Sequence, residues 1–488
     1  MSPINRKFIR IFLLFLGLFI SPYTLANTGA SILNFSDLIT GPDRGIGDGL
    51  GFGVIVTVWG QNLGSSQGTS TIEYCDSLAV CRSGYVYYWK NADGNLPGGP
   101  ANLYESHEMQ EIAFSIPDSA TGAGTIKVTV AGTSSTLPFT VRSGSIYHVK
   151  STGNDTTGDG SWSAPWLTVS KADGAGAAAA GSTIYIHDVL TGSEATDQAI
   201  YNNTTNSSLS AQFAYIAYPN KYAEVWGIRG ISAYAGGSVV SGIVSSKLKI
   251  YSSESDEDAN GQPVNVRSQY TFGIEGTSDG RAIGNYLTDT YPTDSTGGCP
   301  DGQQAAITAN DFKSQNFKIL GNEIEEYGCA GTNYQHHTTY ISIRDTSNPQ
   351  YVAPEMSWNY LNNNEAKNGL HYFDEDLSGN NNCGQFTTTF KINNNVVINQ
   401  GGAGIFNGAR CNVNTAFEYA NNILINTGLK TSWDGISGEG TFGSSNAIEF
   451  SPGDAQTSTL TFKNNTMYRW WTDGNLDGNS TTIASCVG

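Results

Sequence analysis

The chain has 488 residues and carries 25 Lys plus Arg against 43 Asp plus Glu, a formal charge of −18. So few cations exclude the basic stripe that a nucleic-acid partner needs in order to displace counterions, and the length leaves room for more than one domain. With 58 Gly, frequent Asn and 11% aromatic residues, the composition points to an all-β protein whose acidity serves solubility outside the cell.

The first residues set the compartment. Asn5, Arg6, Lys7 and Arg10 form a basic start, Ile11 to Ile20 is apolar, and Thr24-Leu25-Ala26 offers small residues for cleavage, so residues 1–26 read as a signal peptide. The apolar run is short for a membrane span and nothing like it recurs. The mature chain is therefore expected to be secreted, whether extracellular, periplasmic or at the cell surface, with no membrane span, and to be a monomer. Seven cysteines in an exported chain should mostly pair. Cys75 with Cys81, Cys299 with Cys329 and Cys383 with Cys411 are the natural couples, which leaves Cys486 over. No Cys-x-x-Cys occurs, so a zinc site is not expected.

From residue 30 to 141 the pattern is alternating strand. Val54-Ile55-Val56-Thr57-Val58-Trp59 runs into the turn Gly60-Gln61-Asn62-Leu63-Gly64, and Gly124 to Val130 with Leu137 to Val141 reads as a hairpin joined through Gly132-Thr133-Ser134-Ser135. This stretch resembles an IPT/TIG domain, an immunoglobulin-like sandwich. The resemblance implies either a spacer for the next domain or a binding module.

Arg142-Ser143-Gly144-Ser145 is a short polar joint. Beyond it come the strand Ile146-Tyr147-His148-Val149, a Gly/Asp turn through Gly160, an Ala-rich amphipathic segment from Ser170 to Ala180, and the strand Thr183-Ile184-Tyr185-Ile186. Together they suit a cap over the open end of a coiled sheet, whose bare edge would otherwise invite aggregation.

From Asn285 to Met467 one phrase returns: an apolar-in, polar-out strand ending in Asn. The Asn residues are 285, 322, 359, 395, 422 and 465, at steps of 37, 37, 36, 27 and 43 residues. Variable insertion into a constant core is what a coiled parallel sheet tolerates, since loops project sideways while each circuit buries its apolar face on the next. An inward Asn at the same corner of every circuit can hydrogen-bond to the Asn about 4.8 Å above and below. Residues 146–488 are therefore expected to form a right-handed single-stranded parallel β-helix behind the Ig-like sandwich. A series of β-sandwiches is the alternative, but it has no reason to repeat Asn at one corner. The opening around Ile146, the phrase Phe213-Ala214-Tyr215-Ile216-Ala217-Tyr218-Pro219-Asn220 and the Asn-ended strands resemble pectate-lyase-like β-helix proteins, a superfamily of polysaccharide lyases and hydrolases.

Candidate chemistry gathers in two consecutive circuits, Tyr334 to Asp345 and Gly369 to Asp376. Stacking Ile341 on Leu370, with Ile307 before them and Ile405 and Ile448 after, places Thr308, Ser342, His371, Phe406 and Glu449 in one outward row. His371, Tyr340, Arg344 and His337 are the expected catalytic set, because a His, a Tyr and an Arg on one face can take a proton α to a carboxylate, protonate the leaving oxygen and neutralise the carboxylate. Tyr372, Phe406, Lys367 and Glu449 are the expected substrate contacts. Calcium is the one cofactor suggested, through oxygen ligands of Asp374, Glu375 and Asp376, a run that equally reads as a solvated turn.

The resemblance implies β-elimination on a uronate-containing extracellular polysaccharide. Two alternatives stay open. A glycoside hydrolase would use carboxylates among Glu323, Glu325, Glu326, Glu355 and Asp374, and a non-catalytic carbohydrate-binding adhesin would need neither set.

Overall fold

The computed structural model describes residues 29–173, 178–179, 181–188, 200–202, 212–225, 227–230, 243–251, 256–257, 263–264, 270–273, 279–288, 304–311, 316–328, 336–343, 354–365, 367–373, 389–408, 416–428, 447–450, 459–468 and 484–486. The expected signal peptide lies outside them. Among them, no helix is long and apolar enough to cross a membrane.

The alternating strands of the N-terminal part form two sheets. In one, Ile32–Ser36, Ile55–Gln61, Gln110–Ser115 and Val86–Asn91 lie side by side; in the other, the order is Thr40–Gly41, Thr133–Val141, Gly122–Val130, Thr71–Asp76 and Cys81–Ser83. Gly122–Val130 and Thr133–Val141 make the expected hairpin, and Cys75 is disulfide-bonded to Cys81 across the neighbouring pair of strands. Inward residues such as Val58, Tyr74, Ile112, Phe114 and Phe139 fill a common core.

From Ile146 the chain lays down three parallel sheets, of ten, nine and eight strands among the described residues, and visits them in rotation. Arg281–Ile283 joins the ten-stranded sheet, Tyr286–Thr288 the eight-stranded and Gln304–Asp311 the nine-stranded. Lys318–Leu320, Glu323–Glu325 and His336–Ile343 repeat the circuit. Each strand pairs in parallel with its counterpart one circuit earlier. Period-2 alternation sends one column of each sheet inward, for example Leu287, Ile324, Leu361, Val397 and Leu424 in the eight-stranded sheet.

The repeated Asn makes a ladder at the corner between the ten- and eight-stranded sheets. Asn322 Oδ1 accepts from both the backbone N–H (3.1 Å) and the side-chain amide (3.0 Å) of Asn285, and the pattern continues through Asn359, Asn395, Asn422 and Asn465. The second amide hydrogen serves a carbonyl of the preceding strand, as in Asn359 Nδ2 to Ile319 O at 3.0 Å. The residue before each ladder Asn has positive φ. Gly284, Gly321, Asn394, Asn421 and Asn464 suit that conformation, and Trp358 at +63° does not. The Trp358 ring is held against the His107 ring at 5.7 Å, centroid to centroid, and His107 Nε2 donates to the carbonyl of Asn394 at 2.8 Å.

That contact belongs to a broad dock. Phe35, Trp59, Leu103 and Met109 of the sandwich pack on Ile283 and Leu320 of the ten-stranded sheet, and Tyr185, Ile216, Tyr218 and Val244 of that sheet join the sandwich core. Arg281 donates to the carbonyls of Ser36 (2.7 Å) and Asp37 (3.1 Å), and Asn102 N donates to Glu323 Oε2 at 2.6 Å. The sandwich is thus fixed to the coil along one face, whatever the polarity of residues 142–145.

Candidate functional site

The outer face of the nine-stranded sheet carries the candidate residues, in a register that corrects the expectation. Ile341 pairs with Tyr372, where Leu370 was expected, and with Ala309 in the preceding strand. Leu370 pairs with Ile405, and Ile405 with Ile448, as expected. The outward row is therefore Thr308, Tyr340, His371, Phe406, Glu449, with Tyr340 where Ser342 was expected. A two-residue slip preserves which face is buried, so apolar alternation alone cannot distinguish the two pairings.

A local bend recruits a second histidine. In a regular strand, alternate amides serve a given neighbour, yet Thr338 N donates to Asn368 O (2.8 Å) and the very next amide, Thr339 N, to Gly369 O (3.0 Å). The irregularity turns His337, three residues before Tyr340, onto the same face. The His337 ring centroid lies 3.9 Å from that of His371 and 5.4 Å from that of Tyr340, and Tyr340 lies 5.1 Å from His371. Phe406 at 4.8 Å and Phe373 at 6.1 Å close the far side of His371.

Thr339 positions the second strand: its hydroxyl donates to Gly369 O and accepts from His371 N, both at 3.0 Å. No sequence motif announced Thr339, since its role exists only through the bend. Glycine has a similar place at Gly408, where a Cβ would stand 2.5 Å from the Phe373 ring and 2.7 Å from Phe406.

Burial sets the charge state. His371 is 4% exposed and His337 5%, while Tyr340 and Phe406 are partly open. Desolvation first, then the positive charge of Lys367, holds the His371 imidazole well below the usual histidine range. At neutral pH His371 is uncharged and so able to accept a proton, and its Nδ1 makes no hydrogen bond.

The other candidates divide. Lys367 is near enough to act on His371 electrostatically, and Glu449 stands beside Phe406 in the row. Tyr372 does not face outward. It is 1% exposed and packs inward against Phe390 and Phe417, which removes it from the substrate contacts. Arg344, Asp374, Glu375 and Asp376 lie outside the described residues, as do Cys299, Cys329, Cys383 and Cys411. Of the described hydrolase carboxylates, Glu323 and Glu325 lie on the eight-stranded sheet, with Glu326 just after that strand, and Glu355 sits on the ten-stranded sheet beside Lys318 at 3.6 Å.

A scan against models of protein families, a search of curated proteins and a search of solved structures each found no match to this chain.

Proposed function

We propose that this is a secreted polysaccharide lyase, built as a right-handed parallel β-helix with an immunoglobulin-like module docked on one side, which cleaves a uronate-containing chain by β-elimination. The observation that carries the reading is the neutral imidazole of His371 set against the Tyr340 phenol, ring centroids 5.1 Å apart, on the outer face of a long parallel sheet. Such a face can hold an extended polymer, and the pairing of an uncharged base with a weak acid is what proton transfer at carbon needs.

In this mechanism His371 takes the proton α to the uronate carboxylate. The released electron pair forms the ring double bond as the bond to the glycosidic oxygen breaks, and the Tyr340 hydroxyl protonates that oxygen. Return of the proton from His371 to the Tyr340 phenolate restores both groups. Lys367 offsets the carboxylate charge, which builds up as the proton leaves, and Phe406 supplies an apolar wall for the sugar ring. His337 stacks on Tyr340 and holds it against His371.

The test is incubation with a panel of uronate and neutral polysaccharides, following both the ultraviolet absorbance of unsaturated uronate ends and the release of reducing ends. The lyase reading expects both signals from a uronate polymer. Reducing ends without unsaturation would replace it with hydrolysis, and neither signal across the panel would leave a carbohydrate-binding protein.

A further inference from the structure

The dock between sandwich and coil closes over a lysine. Lys247 occupies the corner that Gly284 and Gly321 hold one and two circuits later, and at φ +57° it keeps a left-handed backbone that residues other than glycine rarely adopt. The side chain runs into the sandwich and is 3% exposed. Its ammonium lies 5.6 Å from the centroid of the Tyr88 ring, and its stem lies so close under the sandwich loop that a Cβ on Gly99 would stand 3.1 Å from Lys247 Cγ.

Two carboxyl groups share this interior. Asp37 is fully buried and Glu111 is 1% exposed. Asp37 Oδ1 accepts from Leu38 N at 2.7 Å and Thr57 N at 2.9 Å, while Oδ2 accepts from the hydroxyl of Ser246, the residue before the lysine, at 3.4 Å. Two backbone N–H groups on one carboxyl oxygen are the arrangement that stabilises a tetrahedral oxyanion, and they leave Oδ2 as the group to depart. Glu111 Oε2 accepts from Gly99 N at 3.3 Å and from the Tyr88 hydroxyl at 3.4 Å, so the loop and the ring that hold Lys247 also hold Glu111. Its Oε1 lies 3.8 Å from Lys90 Nζ.

Burial prevails over charge in this pocket. It raises the Asp37 carboxyl and lowers the Lys247 ammonium, each against the attraction of the other, and brings Glu111 to about 7. The three groups are thereby shifted toward the forms that acyl transfer uses: a neutral amine, a protonated acid, and a carboxylate able to take and return a proton.

We propose that Lys247 and Asp37 condense into an amide that joins coil to sandwich, with Glu111 as the proton carrier. Lys247 Nζ attacks Asp37 Cγ, and the negative charge gathers on Oδ1 under the two N–H groups. Glu111 takes a proton from the nitrogen and delivers one to the Oδ2 hydroxyl, which leaves as water while the carbonyl re-forms. One N–C bond forms, one C–O bond breaks, and Glu111 ends as it began, so the balance needs no oxidant or reductant. Asp37 is the acyl partner because Lys247 feels its charge more strongly than that of Glu111, and because Asp37 carries the N–H pair. The product is a clamp between the modules that outlasts unfolding of either one.

The experiment is the intact mass of the purified full chain after disulfide reduction, followed by a tryptic peptide map. The expected result is a mass about 18 Da below that of the sequence, one water per chain. The map should show the Asp37 and Lys247 peptides joined, with cleavage after Lys247 lost. Lys247→Arg keeps the positive charge and should carry the full mass, and Glu111→Gln should slow condensation about 10²- to 10⁴-fold, so that fresh protein is uncondensed. An unmodified mass for the parent chain would overturn the proposal whatever the variants do. So would a deficit of one water that persists in Lys247→Arg, or a linked peptide containing Glu111 in place of Asp37, and full condensation in Glu111→Gln would remove the proton carrier. None of these results depends on elimination at His371, so the two proposals fail separately.

Discussion

The imidazoles of His337 and His371 stand 3.9 Å apart, brought together by a bend one residue past His337. Without the bend at Thr338 and Thr339, alternation would aim His337 and Tyr340 to opposite faces of their strand. The candidate site thus depends on one local irregularity in an otherwise regular coil.

His371→Ala should abolish elimination while leaving the melting temperature within a few degrees of the parent. Tyr340→Phe, which keeps the ring and removes only the proton donor, should lower kcat by about 10²- to 10⁴-fold with little change in KM. Steady-state kinetics and thermal melts on the same preparations separate these outcomes from misfolding.

Thr339→Val removes a hydroxyl that serves Gly369 O and His371 N at once. Gly369 O keeps the Thr339 backbone N–H, whereas the buried His371 N loses its partner, which should cost about 1–3 kcal/mol of stability. If Thr339 positions His371, kcat should fall as well, and Thr339→Ser should restore both. Denaturant unfolding with kinetics of the three proteins checks this.

Asn359→Ala cuts the ladder in its middle. The backbone N–H and side-chain amide of Asn322 and the carbonyl of Ile319 all lose a partner, so the loss should reach several kcal/mol, at about 1–3 for each buried group left unsatisfied. The exposed pair Asn394 and Asn421 makes only a surface bond of 3.0 Å, and Asn421→Ala should change the unfolding midpoint far less.

Gly321→Ala probes the dock between sandwich and coil. A Cβ there would lie 2.5 Å from the Phe35 ring, on a residue whose φ is +62°. Overpacking and left-handed strain together should destabilise by about 2–4 kcal/mol, and Phe35→Ala should relieve the packing part. A double-mutant cycle measured by thermal unfolding reads the coupling.

The same dock should respond to acid. Burial lowers His107 and His148 to about 4 and His187, also opposed by the charge of His148, to about 2, against an ordinary 6.5. The unfolded chain therefore takes up protons first, and the stability these histidines contribute, complete above pH 6.5, is lost as pH falls toward 4 and below. Burial raises Glu111 to about 7 from 4.5, which has the opposite sign: its contribution is complete below pH 4.5 and is lost as pH rises toward 7. Between 6.5 and 4.5 the three histidine terms outweigh the single opposing Glu111 term, so melting temperature should fall with pH through that window and less steeply below 4, where only His187 still differs between the folded and unfolded chain. Calorimetric scans from pH 4 to 8 test this, and His148→Gln should flatten the acid limb.

The stacked parallel sheets were legible in the sequence because their Asn ladder needs the same residue at one corner of every circuit, whatever lies between. The hairpin from Gly122 to Val141 and the Cys75 to Cys81 bond were legible for a similar reason, being short-range. Register between circuits was not. Ile341 can sit against Leu370 or Tyr372 with its apolar side inward either way, so hydrophobic alternation does not distinguish the two pairings. Tyr372 was misjudged for the same cause, since a tyrosine beside an outward histidine looks like a surface residue until Phe390 and Phe417 are seen to receive it. The dock was also hidden, because Phe35, Trp59 and Leu103 read equally well as residues of the sandwich's own interior.

The most direct measurement is a crystal structure of the His371→Ala variant soaked with an oligouronate. The account predicts an oligosaccharide along the nine-stranded sheet, with the proton α to one carboxylate facing the vacated imidazole position and the adjoining glycosidic oxygen within hydrogen-bond reach of the Tyr340 hydroxyl. A sugar bound on another face, or one whose scissile bond lies away from Tyr340, would contradict it.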